Sequence, residues 1–256
     1  QDQVHKRKIE ILMNVSASAL IQDPRSREVI GVKALADGKA RTLFLVRDRL
    51  GIKPLYYHRG ADAFLFGSEL KPLLEHPDFP RHVDREALQY YLQFMYVPAP
   101  HSIFEGCRKL PPGHVATLTM DGAWSLASYW NVLDFWGKPA DRRTEEEYLE
   151  ELEGLVRSSV RYRMISDVPL GAFLSGGIDS SLVVAVMQSE SSRPVRTFSI
   201  GFREKGFDES PHARLVAGYL GTEHHEEICD PSEAIPIIRR LPEFYDEPFA
   251  DPSAIP

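Results

Sequence analysis

The stretch Leu174-Ser-Gly-Gly-Ile-Asp-Ser-Ser181 decides how the rest of the chain is read. An apolar run, Val168–Leu174, precedes it and reads as a buried strand; Ile178–Gln188 follows and reads as a packed helix. In an open parallel sheet, ligands bind at the carboxyl ends of the strands, which is where this bend falls. Gly176 and Gly177 lack a Cβ, so an anion can approach the backbone closely. Ser175, Ser180 and Ser181 add hydroxyl groups, and the helix opening at Ile178 turns unpaired N–H groups and its positive end toward the bend. These residues form a cradle for phosphate. Asp179 is out of place there, because a carboxylate repels phosphate unless a hard cation such as Mg²⁺ bridges the two. The plainer alternative is that Asp179 only complements the helix dipole. A Gly-x-x-x-x-Gly-Lys-Ser/Thr loop is excluded, since no lysine occupies the required place.

Strands and helices alternate downstream. Val195–Phe202 reads as a strand, Glu209–Leu220 as a helix ended by Gly221, and Glu223–Cys229 as a strand, with a further helix from about Ser232. Upstream, Thr144 and Glu147 form a capping box. The helix they open carries Tyr148, Leu152, Leu155, Val156 and Val160 along one stripe, with acids in its first turns and Arg157, Arg161 and Arg163 in its last. The spacing from Leu174 to Val195 suits a crossover helix, and the βαβαβ order argues for a doubly wound parallel sheet. The texture changes at Gly137-Lys-Pro-Ala-Asp141, which places a domain boundary there: residues 1–136 form one domain and 137–256 another.

The first domain is rich in hairpins. Thr42–Val46, Leu55–His58 and Ala63–Phe66 read as strands, and Ser68 as the cap of a short helix beginning Glu69-Leu-Lys71. Asp84 caps a helix over Arg85–Met95 with Leu88, Tyr91, Leu92 and Met95 on one face. Val97–His114 reads as ordered loop. Val115–Thr119 and Ala127–Val132 follow as strands, with Asp121-Gly122 between them as a turn. Residues 1–40 show mixed polarity and little periodicity. The charged start Gln1–Lys8, without Met, and an end inside a helix-approaching segment read as a piece of a longer chain with no secretory signal.

Composition narrows the function classes. Of 256 residues, 43% are hydrophobic, ample for a core. No apolar run is long enough for a spanning helix, which argues against a membrane partner. A net charge of −7 disfavours nucleic acid. Cys107 and Cys229 are too few for a disulfide framework or a zinc ribbon. The expectation is a soluble, cytoplasmic protein.

With these residues in view, a resemblance becomes specific. Ser175-Gly-Gly-Ile-Asp-Ser-Ser181 resembles the pyrophosphate loop of ATP pyrophosphatases, and Ser199-Ile-Gly201 the element lining their adenine pocket. Arg47-Asp-Arg-Leu-Gly-Ile-Lys-Pro-Leu-Tyr56, Gly67-Ser-Glu-Leu-Lys71, Tyr96-Val-Pro-Ala-Pro100 and Lys109-Leu-Pro-Pro-Gly-His114 resemble glutamine-hydrolysing asparagine synthetases. Phe207-Asp-Glu-Ser210 and Tyr245-Asp-Glu-Pro-Phe249 do so too. The likeness runs from about Leu43 to Pro256. It implies an α/β chain: a partial α+β glutaminase-like domain of the amino-terminal nucleophile type, then a truncated, doubly wound ATP pyrophosphatase domain. It further implies ATP and Mg²⁺ as cofactors, glutamine or ammonia and aspartate as substrates, and asparagine made through aspartyl-AMP with release of AMP and pyrophosphate. A homodimer stays open. By the same resemblance Leu174 and Ile200 contact adenosine, Ser175, Gly176, Gly177, Ser180 and Ser181 hold phosphates, and Asp179 binds Mg²⁺. Simple core burial is the alternative for Leu174 and Ile200.

The chain also departs from that pattern. Residue 1 is Gln and both cysteines are internal, so no catalytic nucleophile is assignable. Residues 1–40 look unlike the family, and its second acidic loop has no counterpart before Pro256. The expectation is therefore a ligase in the intact parent and an inactive segment alone. Two other readings remain: a relative amidating another carboxylate or closing a lactam, and a non-enzymatic fragment. His224 and His225 should face opposite sides of a strand and hold no metal. Cys107 and Cys229 read as buried or bystander thiols. Arg49 and Lys53 read as salt-bridge partners or as shaping an ammonia route or the domain interface. Asp246, Glu247 and Asp251 read as a solvated acidic turn, with a place near the substrate pocket as the alternative.

Overall fold

A computed structural model of the chain describes residues 33–37, 42–61, 63–119, 121–137, 143–203, 206 and 208–255. Residues 1–32, the Lys138–Asp141 part of the expected boundary, and Phe207 lie outside the described residues. The described residues fall into two compact units, one within Gln1–Lys138 and Arg240–Pro252, the other within Pro139–Arg239 and Ser253–Pro256.

The first unit holds two antiparallel sheets. One has β1 (Lys33–Asp37), β2 (Thr42–Val46), β6 (His114–Thr119) and β7 (Trp124–Ser128) in that order. The other orders β4 (Phe64–Gly67), β3 (Tyr56–Arg59) and β5 (Cys107–Lys109). Alternation sets the register: Leu43 lies opposite Leu118 and Leu45 opposite Ala116, all four buried. They pack with Leu55, Phe64, Phe66 and Leu110 between the sheets. Tyr56, Leu65 and Cys107 belong to a second cluster, which takes in Leu70 and Leu73 around α1 (Lys71–Leu74) and Ala87 of α2 (Arg85–Phe94).

Several expectations give way here. β1 forms in the stretch that showed little periodicity, paired along its length with β2. β5 lies within the segment read as loop, and β7 starts earlier than Ala127. Asp84 caps α2, accepting the Glu86 and Ala87 N–H groups. The helix nevertheless buries Ala87 and packs Tyr91, leaving Leu88, Leu92 and Met95 exposed. Its contact stripe is set by a neighbouring cluster that admits a small side chain at 87. Ser68 does not cap α1: Leu70 occupies that place, and its N–H is accepted by the Asp246 carboxylate at 2.7 Å.

The second unit is built on a parallel sheet, β8 (Gly171–Phe173), β9 (Arg196–Phe202) and β10 (Glu223–Cys229), in spatial order β8-β9-β10. Between the strands run α4 (Ile178–Glu190) and α5 (Ser210–Leu220), the latter ended by Gly221 in the left-handed conformation. The Thr144–Glu147 capping box is present at the start of α3 (Glu145–Arg163). Val160, Val186, Met187 and Val195 form one cluster, and Leu174, Val184, Ala213 and Ala217 another. The upper stripe of α3 stays open, with Tyr148, Leu152 and Leu155 exposed. β8 is also shorter and less covered than its apolar composition suggests. Phe173 is 81% exposed, Val168 lies on the surface, and only Leu174 is sealed, at 1%. A Cβ at Gly171 would sit 2.3 Å from the Phe198 ring, so a larger residue there would have to push that half-exposed side chain aside. α6 (Pro231–Phe244) follows and leads into the residues grouped with the first unit.

Candidate nucleotide site

The bend after β8 is held by its own hydroxyls. Leu174 N–H donates to the Phe198 carbonyl at 2.8 Å, fixing the strand end against β9. The chain then turns at Gly176, whose φ of +81° is left-handed. Ser175 and Ser180 hydroxyls lie 2.9 Å apart across the turn; Ser180 Oγ accepts the Ser175 N–H, and Ser175 Oγ accepts the Gly177 N–H. Gly176 packs on the first turn of α5, where a Cβ would meet the His212 carbonyl carbon at 2.6 Å and the Ala213 nitrogen at 2.7 Å. Gly177 stands at the N-cap of α4, and among the described residues no side-chain hydrogen bond caps that helix. Its first-turn N–H groups thus lack intrahelical acceptors and face outward with the positive end of the dipole.

The predicted residues come together, with two kinds of burial. Ser175, Gly177 and Asp179 are exposed, Gly176, Ser180 and Ser181 half-buried, and Leu174 is core. Ser181 carries a buried Oγ with no hydrogen-bond partner among the described residues. Phe173 pairs with Phe198, so Ile200 on β9 follows the pairing at the level of Ser175. Ile200 is half-buried, between buried Ser199 and Gly201. Asp208 accepts the Ser210 N–H at 3.1 Å, and the hydrogen bonds from Ser210 hold its carboxyl below the usual range. Among the described residues no group of three or more His, Cys, Asp or Glu side chains could hold a metal ion.

His224 and His225 face opposite ways. His224 packs inward with Thr197 and Ser199 hydroxyls at 2.8 and 3.2 Å, while His225 stacks on Phe198 at the surface. Cys107 is buried, and burial pushes its thiol up to about 11. Arg47 is bound to the Leu110, Gly51 and Lys53 carbonyls, and Asp48 accepts the Leu50, Ile52 and Lys53 N–H groups, so Arg47-Asp-Arg-Leu-Gly51 folds into a tight loop.

The acidic turn is the largest correction. Asp246 and Glu247 are not solvated: their side chains are 11% and 9% exposed, and they pair with Lys71 and Lys109. Charge pattern alone could not reveal this, because each partner lies more than a hundred residues away in sequence.

Residues 151–256 match the family model described as asparagine synthase, and residues 15–130 the model described as a glutamine amidotransferase domain. The second match starts well before Leu43, inside the stretch that looked unlike the family. Asparagine synthetase [glutamine-hydrolyzing] 1 of Bacillus subtilis is 39% identical over 215 residues, covering 84% of this chain and 33% of that protein. A putative asparagine synthetase [glutamine-hydrolyzing] 2 of Methanocaldococcus jannaschii is 35% identical over 230 residues, covering 86% of this chain and 42% of that protein. Amidase chry2 of Gibberella zeae is 32% identical over 206 residues, covering 75% and 30%. The chain thus spans about a third of the first of these relatives and rather more than two-fifths of the second.

Proposed function

The chain joins a segment of the glutamine amidotransferase family to a segment of the asparagine synthase family, and from this premise we propose that the full-length protein makes asparagine. In this reading it is a cytoplasmic ligase that takes ammonia from glutamine and joins it to aspartate at the expense of ATP, through aspartyl-AMP, releasing AMP and pyrophosphate. Residues up to 136 contribute to an amidotransferase domain of the amino-terminal nucleophile type. Residues from 137 contribute to a doubly wound ATP pyrophosphatase domain.

The observation that carries the reading is the serine-lined bend at the start of α4, with its unpartnered Ser181 Oγ. A carboxylate is a poor acceptor for ammonia until one oxygen becomes part of a phosphate leaving group. The work left to the protein is to orient the triphosphate and to stabilise charge on departing pyrophosphate. Ser175, Gly176, Gly177, Ser180 and Ser181 do this with hydroxyls and backbone N–H groups, Gly177 leaving the mouth of the bend open. Half-buried Ile200 borders the adenosine; the Leu174 side chain is core, which leaves only its backbone carbonyl for that contact. Asp179 would hold Mg²⁺, which when bound neutralises phosphate charge.

The test is exchange of labelled pyrophosphate into ATP by the full-length protein. Exchange that requires aspartate and disappears in Asp179→Ala is the expected result. Exchange that requires a different carboxylic acid would replace aspartate as the substrate, an arm made worthwhile by the relative named as an amidase. Absence of exchange with every acid, despite a folded protein, would overturn the assignment.

A further inference from the structure

The segment Tyr245–Ala250 lies in sequence within the part matched as asparagine synthase, yet its polar anchors are residues of the part matched as amidotransferase. Asp246 accepts the Leu70 N–H at 2.7 Å and pairs with Lys71 at 3.2 Å. Glu247 accepts the Ile103 N–H at 2.8 Å on one oxygen; the other takes the Tyr56 hydroxyl at 3.2 Å and pairs with Lys109. Ala250 N–H donates to the Met95 carbonyl at 3.0 Å. Lys109 also donates to the Val97 carbonyl, and the neighbouring Leu110 carbonyl is held by Arg47 at 2.7 Å. A buried polar chain therefore runs from the Arg47 loop through Lys109 to Glu247.

Adhesion alone would not call for this. Withdrawing a carboxylate and an ammonium from water is costly, and apolar side chains of similar size hold a segment at least as well. What a buried, fully partnered carboxylate provides is a single docked position, because any shift leaves charges unpaired. The chain enters this segment from the second unit through α6 and returns to that unit at Ser253.

We propose that Glu247 is a positioning residue which, by locking Tyr245–Ala250 onto Lys109, Tyr56 and the Ile103 N–H, couples glutamine hydrolysis to ATP-driven amidation. The proposal rests on the function argued above. It assigns Glu247 no contact with substrate, only the registration of a synthase segment on the amidotransferase scaffold.

The experiment compares glutamine-driven with ammonia-driven asparagine formation in the full-length protein, with glutamate release and backbone hydrogen exchange of residues 245–250 measured alongside. Glu247→Gln and Lys109→Met are expected to lower glutamine-driven synthesis roughly tenfold while ammonia-driven synthesis holds, so that glutamate outruns asparagine. Exchange at 245–250 should speed up, and the exchanged pair Lys109→Glu with Glu247→Lys should recover part of the coupling. Equal loss with both nitrogen sources would reduce Glu247 to a structural anchor and overturn the proposal, as would unchanged hydrogen exchange in Glu247→Gln. Wild-type protein making no asparagine from either source would instead sink the underlying function, leaving the exchange measurement to judge the lock itself.

Discussion

Gly176 rests against the first turn of α5 so closely that a Cβ on it would stand 2.6 Å from the carbonyl carbon of His212. The bend and the first turn of α5 are thus built as one surface, and the closeness depends on a residue with no side chain.

Gly176→Ala should therefore cost both fold and ligand. The left-handed backbone costs a non-glycine residue roughly 1–2 kcal/mol, and displacing the α5 backbone adds to that. Gly177→Ala is the contrast: at φ −70° its Cβ would meet only Ser175 Oγ, at 3.3 Å. Thermal unfolding should separate the two variants, with Gly176→Ala melting earlier and Gly177→Ala near the parent. Calorimetry should show Mg-ATP binding weakened in both.

Ser181→Ala should separate binding from stability. Its Oγ is buried without a partner, so removing it should change unfolding free energy by less than about 0.5 kcal/mol. Affinity for Mg-ATP should fall roughly fivefold, the worth of one hydrogen bond gained from the ligand. Equal affinity in variant and parent would show that the hydroxyl does not meet the nucleotide.

Thr144→Ala removes half of the capping box at the start of α3. The expected cost is about 1 kcal/mol in urea unfolding of the second unit, with nucleotide affinity unchanged because the cap lies far from the bend in sequence. Restoring the oxygen with Thr144→Ser should recover most of the loss.

Cys107 makes stability fall at alkaline pH. Burial raises its thiol from 9.0 to about 11, so the folded state keeps a proton that the unfolded chain has begun to lose. Its contribution is whole below pH 9 and is lost as pH rises toward 11, on the order of 2–3 kcal/mol by linkage. Chemical unfolding of wild type and Cys107→Ala at pH 8 and pH 10.5 should show a steeper loss in the wild type. Alkylation at pH 8 should label Cys107 only after unfolding.

Local rules read much of this chain. Thr42–Val46 and Glu223–Cys229 form strands over the expected bounds, because period-two patterns and turn residues act within a few positions. Asp84 and Thr144 cap the expected helices for the same reason. Errors gather where a distant neighbour decides. Leu88 and Leu92 are apolar at helical spacing yet exposed, because the cluster beside α2 receives Ala87 and Tyr91. Val168 and Phe173 read as core and lie on the surface.

By itself the sequence determined the bend at Ser175–Ser181, its place between strand and helix, and the residue types that could meet phosphate. Those properties follow from glycine dihedrals, hydroxyls and helix ends within eight residues. Only the tertiary structure decided that Ser181 Oγ lacks a partner, that Gly176 must be glycine because of His212, and that Asp246 and Glu247 are buried against Lys71 and Lys109. Whether a carboxylate is solvated or locked depends on which charge the fold brings beside it, and that neighbour stands far along the chain.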